Sequence, residues 1–418
     1  MKLLFVHQNF PGQYLRLAQH LAAQRGNEVI FLTQRKDAAL PGVKKVVYAP
    51  KRKVSRQTHH YLREAEAGVL NGQEVARAAL ALKNAGFVPD VMLGHNGWGE
   101  IWYLKDIYPK SALIGYFEFF YRPEGADIEF QPGISEQLDT APRLRTKNVG
   151  NLLGLEAADL GQCPTRWQQS LYPKRYHSML RVIHEGIDTR LVMPNPSAKL
   201  RLPSGNRELT SEDEVVTYVA RSLEPYRGFQ TFMRSLPTIL SRRPKAEVVI
   251  VGRDEVSYGS RLPDGKTYRQ EMLKELGDSL DLRRVHFLGR VPYPTFLTVL
   301  QVSRVHVYLT YPFVLSWSML EALSAGCLVV GSRTAPVEEV LRHRENGLLV
   351  DFFDTTTIAD TVVDALSNLE AYRTLREQGR RTVIEGYDLH TLALPAQLKL
   401  VREAAEPRGP YLWKGERA

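Results

Sequence analysis

KLLFVHQNFPGQYLRLAQHLAAQRGNEVIFLT, residues 2–33, reads as strand, turn, helix and strand. Lys2–His7 is a short apolar run, and Gln8–Gly12 turns the chain through Pro11 and Gly12. Leu15, Ala18, Leu21 and Ala22 then recur at helical spacing until Gly26, and Glu28–Thr33 is the next apolar run. This is the opening unit of a doubly wound α/β sheet. Val43–Ala49, Asp90–Gly94, Ala112–Phe117 and Leu160–Pro164 are further strand candidates. They are apolar throughout and do not alternate, as strands do when helices cover both faces of a sheet.

The pattern restarts near residue 215. Glu214–Ala220, Ala246–Gly252, Val285–Leu288, Val305–Leu309, Leu328–Gly331 and Gly347–Val350 read as strands. Helices are expected between them over Gly228–Leu240, Tyr268–Leu276, Tyr293–Ser303, Ser316–Ser324 and Ala335–His343. Thr189–Asp213, rich in Pro, Ser and Asn, reads as a connecting loop. The expected organisation is an N-terminal Rossmann-like domain over 1–190 and a C-terminal one over 191–385, facing each other across a cleft. A C-terminal helix and tail, 386–418, is expected to pack back on the first domain. Ligands of this architecture bind at the carboxyl ends of the strands.

A chain of 418 residues with 44% hydrophobic and 24% charged residues is ordinary for globular domains and excludes fibre or disorder. No apolar run approaches the roughly 18–20 residues of a membrane-spanning helix. The opening MKLLFVHQNF is too soon interrupted for a signal peptide, and Cys163 and Cys327 offer neither a disulfide framework nor metal-ligand spacing. A cytoplasmic location is the expectation. The net charge of +9 favours an anionic partner. Lys51, Arg52, Lys53 and Arg56 form the most local basic run, either a solvated loop or a patch for peripheral contact with an anionic membrane or a lipid-linked acceptor. No aromatic–basic interleaving accompanies it, so nucleic acid is not an expected partner.

The richest segment for chemistry is Thr310–Val330, TYPFVLSWSMLEALSAGCLVV. A strand enters a loop that opens a helix at Ser316, a good N-cap, and the N–H groups of such a first turn suit a diphosphate. Glu321 lies five residues into that helix, where a carboxylate could accept hydrogen bonds from a ribose diol. The plainer reading is a solvated Glu on an amphipathic helix, though Leu320, Ala322 and Leu323 surround it.

The segment resembles the nucleotide-sugar motif of the retaining glycosyltransferase family 4, in which Glu, seven residues and Glu-Ala precede a small residue, Gly and an apolar strand. Glu321-Ala322, Ala325-Gly326 and Leu328–Gly331 match it. The resemblance extends to Val182–Asp188, Tyr218–Phe229, Val285–Val291, Glu338–Val340, Asn346–Val350 and Asp354. It implies the GT-B fold, a UDP- or GDP-sugar co-substrate and no required metal. The first Glu of the motif falls on Phe313, which cannot accept a hydrogen bond. By resemblance, Glu321 holds the ribose, and the backbone of Val314, Leu315 and Ser316 holds the phosphates. Either another group supplies the sugar contact made by the first Glu, or the donor sugar differs, or the protein is catalytically weak.

Arg221 and Arg227 stand where the family has an Arg and a Lys, and two guanidinium groups there could neutralise a departing diphosphate. Gly12, in the turn after the first strand, resembles the family's glycine loop, beside His7, Gln8 and Asn9. His95, and Glu118 with Tyr121-Arg122, follow strands of the first domain and are candidates for sugar hydroxyls and proton handling. Gly252-Arg253-Asp254 and Gly289-Arg290-Val291 would cradle the base, largely through backbone.

The implied activity is retaining sugar transfer to a hydroxyl of a glycan, lipid-linked glycan or small molecule, with no protein nucleophile. Two other readings stay open: a sugar-nucleotide epimerase, and a non-catalytic nucleotide-sugar-binding protein, which Phe313 favours. A phosphorylase-like enzyme would need a cofactor-binding Lys and a much longer chain.

Overall fold

The computed structural model describes residues 1–130, 138–203 and 207–406. Met1–Gly186, joined by the described chain from His390 on, forms one unit, and Ile187–Leu389 forms the other. The two crossing segments run side by side: the Ile187 N–H donates to the Tyr387 carbonyl at 2.8 Å, and the Leu389 N–H donates to the Ile187 carbonyl at 2.8 Å.

The first unit holds β1 (Lys2–Val6), β2 (Glu28–Thr33), β3 (Val43–Val47), β4 (Val91–His95), β5 (Ala112–Tyr116), β6 (Leu160–Cys163) and β7 (Leu180–Val182). They form one parallel sheet in the order β3-β2-β1-β4-β5-β6-β7. Leu4 and Val6 of β1 pack into one core with Ile30, Leu32 and Met92; Leu3 and Phe5 pack into another with Val29, Phe31 and Leu93. Both faces are therefore buried, which is why β1 is apolar at every inner position. The helix Leu394–Ala405 completes the second of these cores with Leu400, Val401 and Ala404, and Arg181 pairs with Glu403 at 2.8 Å. β7 was not legible in the sequence: it is three residues long and has Arg181 at its centre.

The second unit holds a short antiparallel pair, β8 (Leu200–Arg201) and β9 (Glu208–Leu209), and six further strands: β10 (Val215–Ser222), β11 (Glu247–Arg253), β12 (Val285–Gly289), β13 (Val305–Tyr308), β14 (Leu328–Ser332) and β15 (Leu348–Val350). The six form a parallel sheet in the order β12-β11-β10-β13-β14-β15. Strand order reverses between β1 and β4 in the first sheet and between β10 and β13 in the second, and a crevice opens at the carboxyl side of such a point.

Two expectations need correcting. The stretch read as a loop, Thr189–Asp213, contains β8 and β9, because Leu200, Leu202 and Leu209 are buried against Val215 and Val249. Ser204-Gly205-Asn206 of that loop, and residues 407–418 of the tail, lie outside the described residues. The helix expected to reach His343 is only Ala335–Glu338. Asn346 takes over there, its Oδ1 accepting the Arg342 N–H at 2.7 Å and its Nδ2 donating to the Val340 carbonyl at 2.9 Å. Two helices of the second unit, Thr355–Ser367 and Arg373–Tyr387, were also not anticipated.

Candidate functional site

In the second unit, β10 and β13 bring Arg221–Arg227 and Thr310–Ser316 to the same end of the sheet. Arg227 is buried. Its Nη1 donates to Thr310 Oγ1 at 2.8 Å and to the Val314 carbonyl at 2.9 Å, with Tyr308 Oη at 3.4 Å. Tyr218 fixes the Arg227 backbone by donating to its carbonyl at 2.8 Å. Nη1 is thus committed to shaping the loop, while Nε and Nη2 have no protein partner among the described residues. Arg221, expected just after a strand, is the penultimate residue of β10; it is exposed and has no partner among the described residues.

Ser316 caps the helix Trp317–Ser324, its side chain accepting from the Ser318 N–H. Of the three N–H groups assigned to phosphate, that of Ser316 is already used, donating to Tyr308 Oη at 2.8 Å. Those of Val314 and Leu315 donate to no protein acceptor among the described residues. The donors left open for an anion are therefore fewer than expected: two amides and an arginine edge at a helix N-terminus.

Glu321 is 9% exposed, so it is not a solvated surface Glu. Tyr293 Oη donates to its Oε1 at 2.8 Å. Burial raises the carboxyl to about 7, although the Tyr293 hydrogen bond pulls the other way. Oε2 has no hydrogen bond to the protein among the described residues. Phe313 lies in an aromatic cluster, 5.5 Å from the Tyr226 ring and 4.9 Å from the Tyr258 ring.

The residues assigned to the base are more varied. The Cβ side of Gly252 is filled by Leu223, whose Cδ2 would lie 2.5 Å from a Cβ there. Arg253 ends β11 and reaches Glu255 at 3.3 Å, whereas Arg290 is exposed beyond β12.

In the first unit the carboxyl ends of β1, β4 and β5 gather His7, His95 and Tyr116. The Asn9 N–H donates to His7 Nδ1 at 2.9 Å, so the ring proton sits on Nε2 and is given to Gln13 Oε1 at 2.7 Å. Burial, then the neighbouring His95, lowers His7 to about 3, which keeps it neutral. Gly12, at φ +55°, folds over this ring: an added Cβ would lie 2.7 Å from His7 Nε2. The side of Gly12 on which a side chain would stand is thus closed by His7.

His95 Nδ1 accepts the Gly97 N–H at 2.9 Å, which places its proton on Nε2. That Nε2 is buried without a hydrogen-bond partner, 3.7 Å from Glu118 Oε2. The ring is stacked between Trp98, at 4.3 Å, and Tyr116, at 5.1 Å. The two predicted residues do come together, and the same unit holds two further buried carboxyls. Glu100 receives the Tyr48 hydroxyl proton and is raised by burial to about 8. Glu185 accepts from Tyr116 Oη at 2.5 Å. Glu100 stands in GHNGWGE, but nothing in that string marked it as buried.

Residues 25–192 match the family described as Glycosyl transferase family 4 group, and residues 205–382 match Glycosyl transferases group 1. The chain carries two glycosyltransferase domains in a GT-B fold. N-acetyl-alpha-D-glucosaminyl L-malate synthase of Bacillus anthracis is 30% identical to the GT-B chain over 104 residues, 25% of this chain and 27% of that protein. D-inositol 3-phosphate glycosyltransferase of Corynebacterium efficiens is 26% identical over 191 residues, 46% of this chain and 43% of that protein. The chain thus spans less than half the length of either relative. Among solved structures, Anabaena Alr3699/HepE in complex with UDP and glucose superposes with a TM-score of 0.69 at 17% identity, covering 97% of this chain and all of that one. That likeness concerns the fold.

Proposed function

We propose that the protein transfers a sugar from a UDP- or GDP-sugar to a hydroxyl of a glycan, lipid-linked glycan or small molecule, with retention at the anomeric carbon. The observation that carries this reading is the grouping, in one unit, of Arg227, the Val314 and Leu315 amides and the half-used carboxyl of Glu321. The first two suit a diphosphate and the third suits a diol. Both family matches support sugar transfer.

In this reading the acceptor oxygen bonds to the anomeric carbon on the face from which the diphosphate departs. The carbon–oxygen bond to the diphosphate breaks, and the acceptor proton passes to the leaving phosphate oxygen. Arg227 and Arg221 stabilise the charge that builds there, so no metal is invoked. His95 and Glu118 of the first unit contact sugar hydroxyls. Incubating the protein with radiolabelled UDP- and GDP-sugars and candidate acceptors tests the reading, with the anomer determined by NMR. An α-linked product from an α-linked donor supports it; an inverted product refutes retention, and no transfer with any pair favours the binding-protein reading that Phe313 suggests.

We also place the enzyme in the cytoplasm, in peripheral contact with an anionic membrane. Tyr61 Oη donates to Asp139 at 2.6 Å and Lys147 pairs with Glu64 at 3.1 Å, which sets the helix Thr140–Lys147 beside residues 61–64, and Arg52 of the basic run pairs with the nearby Glu66 at 2.5 Å. Lys51, Lys53, Arg56, Arg63, Arg143 and Arg145 of these segments have no ion-pair partner among the described residues, and Leu138 beside them is 91% exposed. Cations next to exposed leucines suit an anionic bilayer. Sedimentation with phosphatidylserine vesicles but not with phosphatidylcholine vesicles is expected, and equal sedimentation with both removes the idea.

A further inference from the structure

Glu224 follows β10 and is fully buried, yet it makes no ion pair among the described residues. Its carboxylate is spent on backbone instead. It accepts the N–H groups of three consecutive residues: Ser257 at 3.1 Å, Tyr258 at 2.9 Å and Gly259 at 3.0 Å. Ser222 Oγ meets Ser257 Oγ at 2.8 Å, and Tyr268 Oη donates to the Ser260 carbonyl at 2.8 Å. Five hydrogen bonds therefore tie down a loop segment that has no regular structure of its own.

The residue so fixed is Tyr258. Its ring lies 5.4 Å from the Arg227 guanidinium, 4.9 Å from Phe313 and 6.4 Å from Tyr226. The side chain is only half-buried, and its hydroxyl has no protein partner among the described residues. Phe313 immediately precedes the two open amides of Val314 and Leu315, so a phosphate held by those amides and Arg227 lies against this aromatic group. Whatever the phosphate carries then meets a ring face and a phenol. A pyranose offers apolar C–H groups to the first and hydroxyls to the second.

The geometry points to Tyr258 as a specificity-determining residue for the donor sugar, with Glu224 as the residue that positions it; this rests on the donor-site reading above. Tyr258 takes a contact that Phe313, having no acceptor, cannot supply.

Isothermal titration of the full chain with UDP against UDP-glucose, and with GDP against GDP-mannose, tests the assignment. Wild type is expected to bind one nucleotide sugar more tightly than its nucleoside diphosphate. Tyr258→Ala should weaken that nucleotide sugar at least tenfold and leave the nucleoside diphosphate within threefold; Tyr258→Phe should fall between. Glu224→Gln, with folding checked by its melting curve, should reproduce the Tyr258→Ala pattern, because an amide offers fewer acceptor sites to the three N–H groups. Unchanged sugar discrimination in Tyr258→Ala overturns the inference while leaving the donor site standing. Equal weakening of both ligands also overturns it, placing the ring on the diphosphate. Absence of any nucleotide-sugar binding by wild type sinks the donor-site reading and this inference with it.

Discussion

Tyr293 donates its hydroxyl proton to Oε1 of Glu321 at 2.8 Å, and this is the only hydrogen bond that carboxyl makes among the described residues. One oxygen is fixed and the other is open, a state suited to receiving ligand hydroxyls. Burial favours the neutral form and sets its titration at about 7.

Donor affinity is therefore expected to depend on pH through Glu321. Two ligand hydroxyls donating to the carboxyl favour its ionised form, so binding should strengthen as pH rises through 7, by roughly tenfold between pH 6 and 8. Glu321→Gln should remove that dependence, as read by titration calorimetry across the range. For stability the sign is opposite. A folded-state value raised above 4.5 gives a contribution fully present below 4.5 and lost as pH rises through about 7.

Glu100 makes a second, separable pH prediction. Burial holds it at about 8, next to the Tyr48 hydroxyl, so the fold favours its protonated form. Its contribution is lost as pH rises from its ordinary 4.5 through about 8. The melting temperature of wild type should fall between pH 6 and 9, and Glu100→Gln should flatten that fall by about 4 °C or more. Parallel curves for the two proteins would contradict the assignment.

Arg227 has a structural task and, in the proposed reaction, a chemical one. Arg227→Ala strips Thr310 Oγ1 and the Val314 carbonyl of their donor, and should cost about 2–3 kcal/mol of stability in urea unfolding. Transfer activity should fall at least a hundredfold. Arg227→Lys keeps the charge but not the planar fork, so it should fold well and lose roughly tenfold. Arg221→Ala, at an exposed position, should lower activity without changing the unfolding curve.

Gly12→Ala tests the reading of the first turn. An alanine there meets both φ +55° and the His7 ring, and should destabilise by about 2–3 kcal/mol. His7→Ala removes the obstacle, so the double variant should recover about 1 kcal/mol relative to the sum of the singles. Additive losses would show that the ring is not what Gly12 accommodates.

The sheets were legible where a strand announces itself by composition. Leu3–Val6 and Val215–Val219 are apolar runs because both faces are covered, and their neighbours in sequence turn on Gly and Pro. β7 escaped because three residues around an arginine carry no such signal. The capping role of Ser316 and the unusual setting of Glu321 followed from local spacing. What did not follow were relationships across long separations. The Tyr258 backbone meets Glu224 from 34 residues away, and Tyr48 meets Glu100 from 52. No periodicity encodes such pairings; they arise when β10 and β11, or the first unit's strands, bring loop ends together. Gly12 and Gly252 add a further case, since the His7 ring and Leu223 that close on their missing side chains are packing relationships the glycines themselves do not announce.

A nucleotide-sugar site built on Glu321 in the second unit is tested by thermal-shift measurements of wild type and Glu321→Ala against a panel of UDP- and GDP-sugars. One donor is expected to stabilise wild type and the shift to vanish in the variant, with affinity about a hundredfold weaker, as expected for losing hydrogen bonds to a carboxylate. Equal stabilisation of both proteins would contradict it.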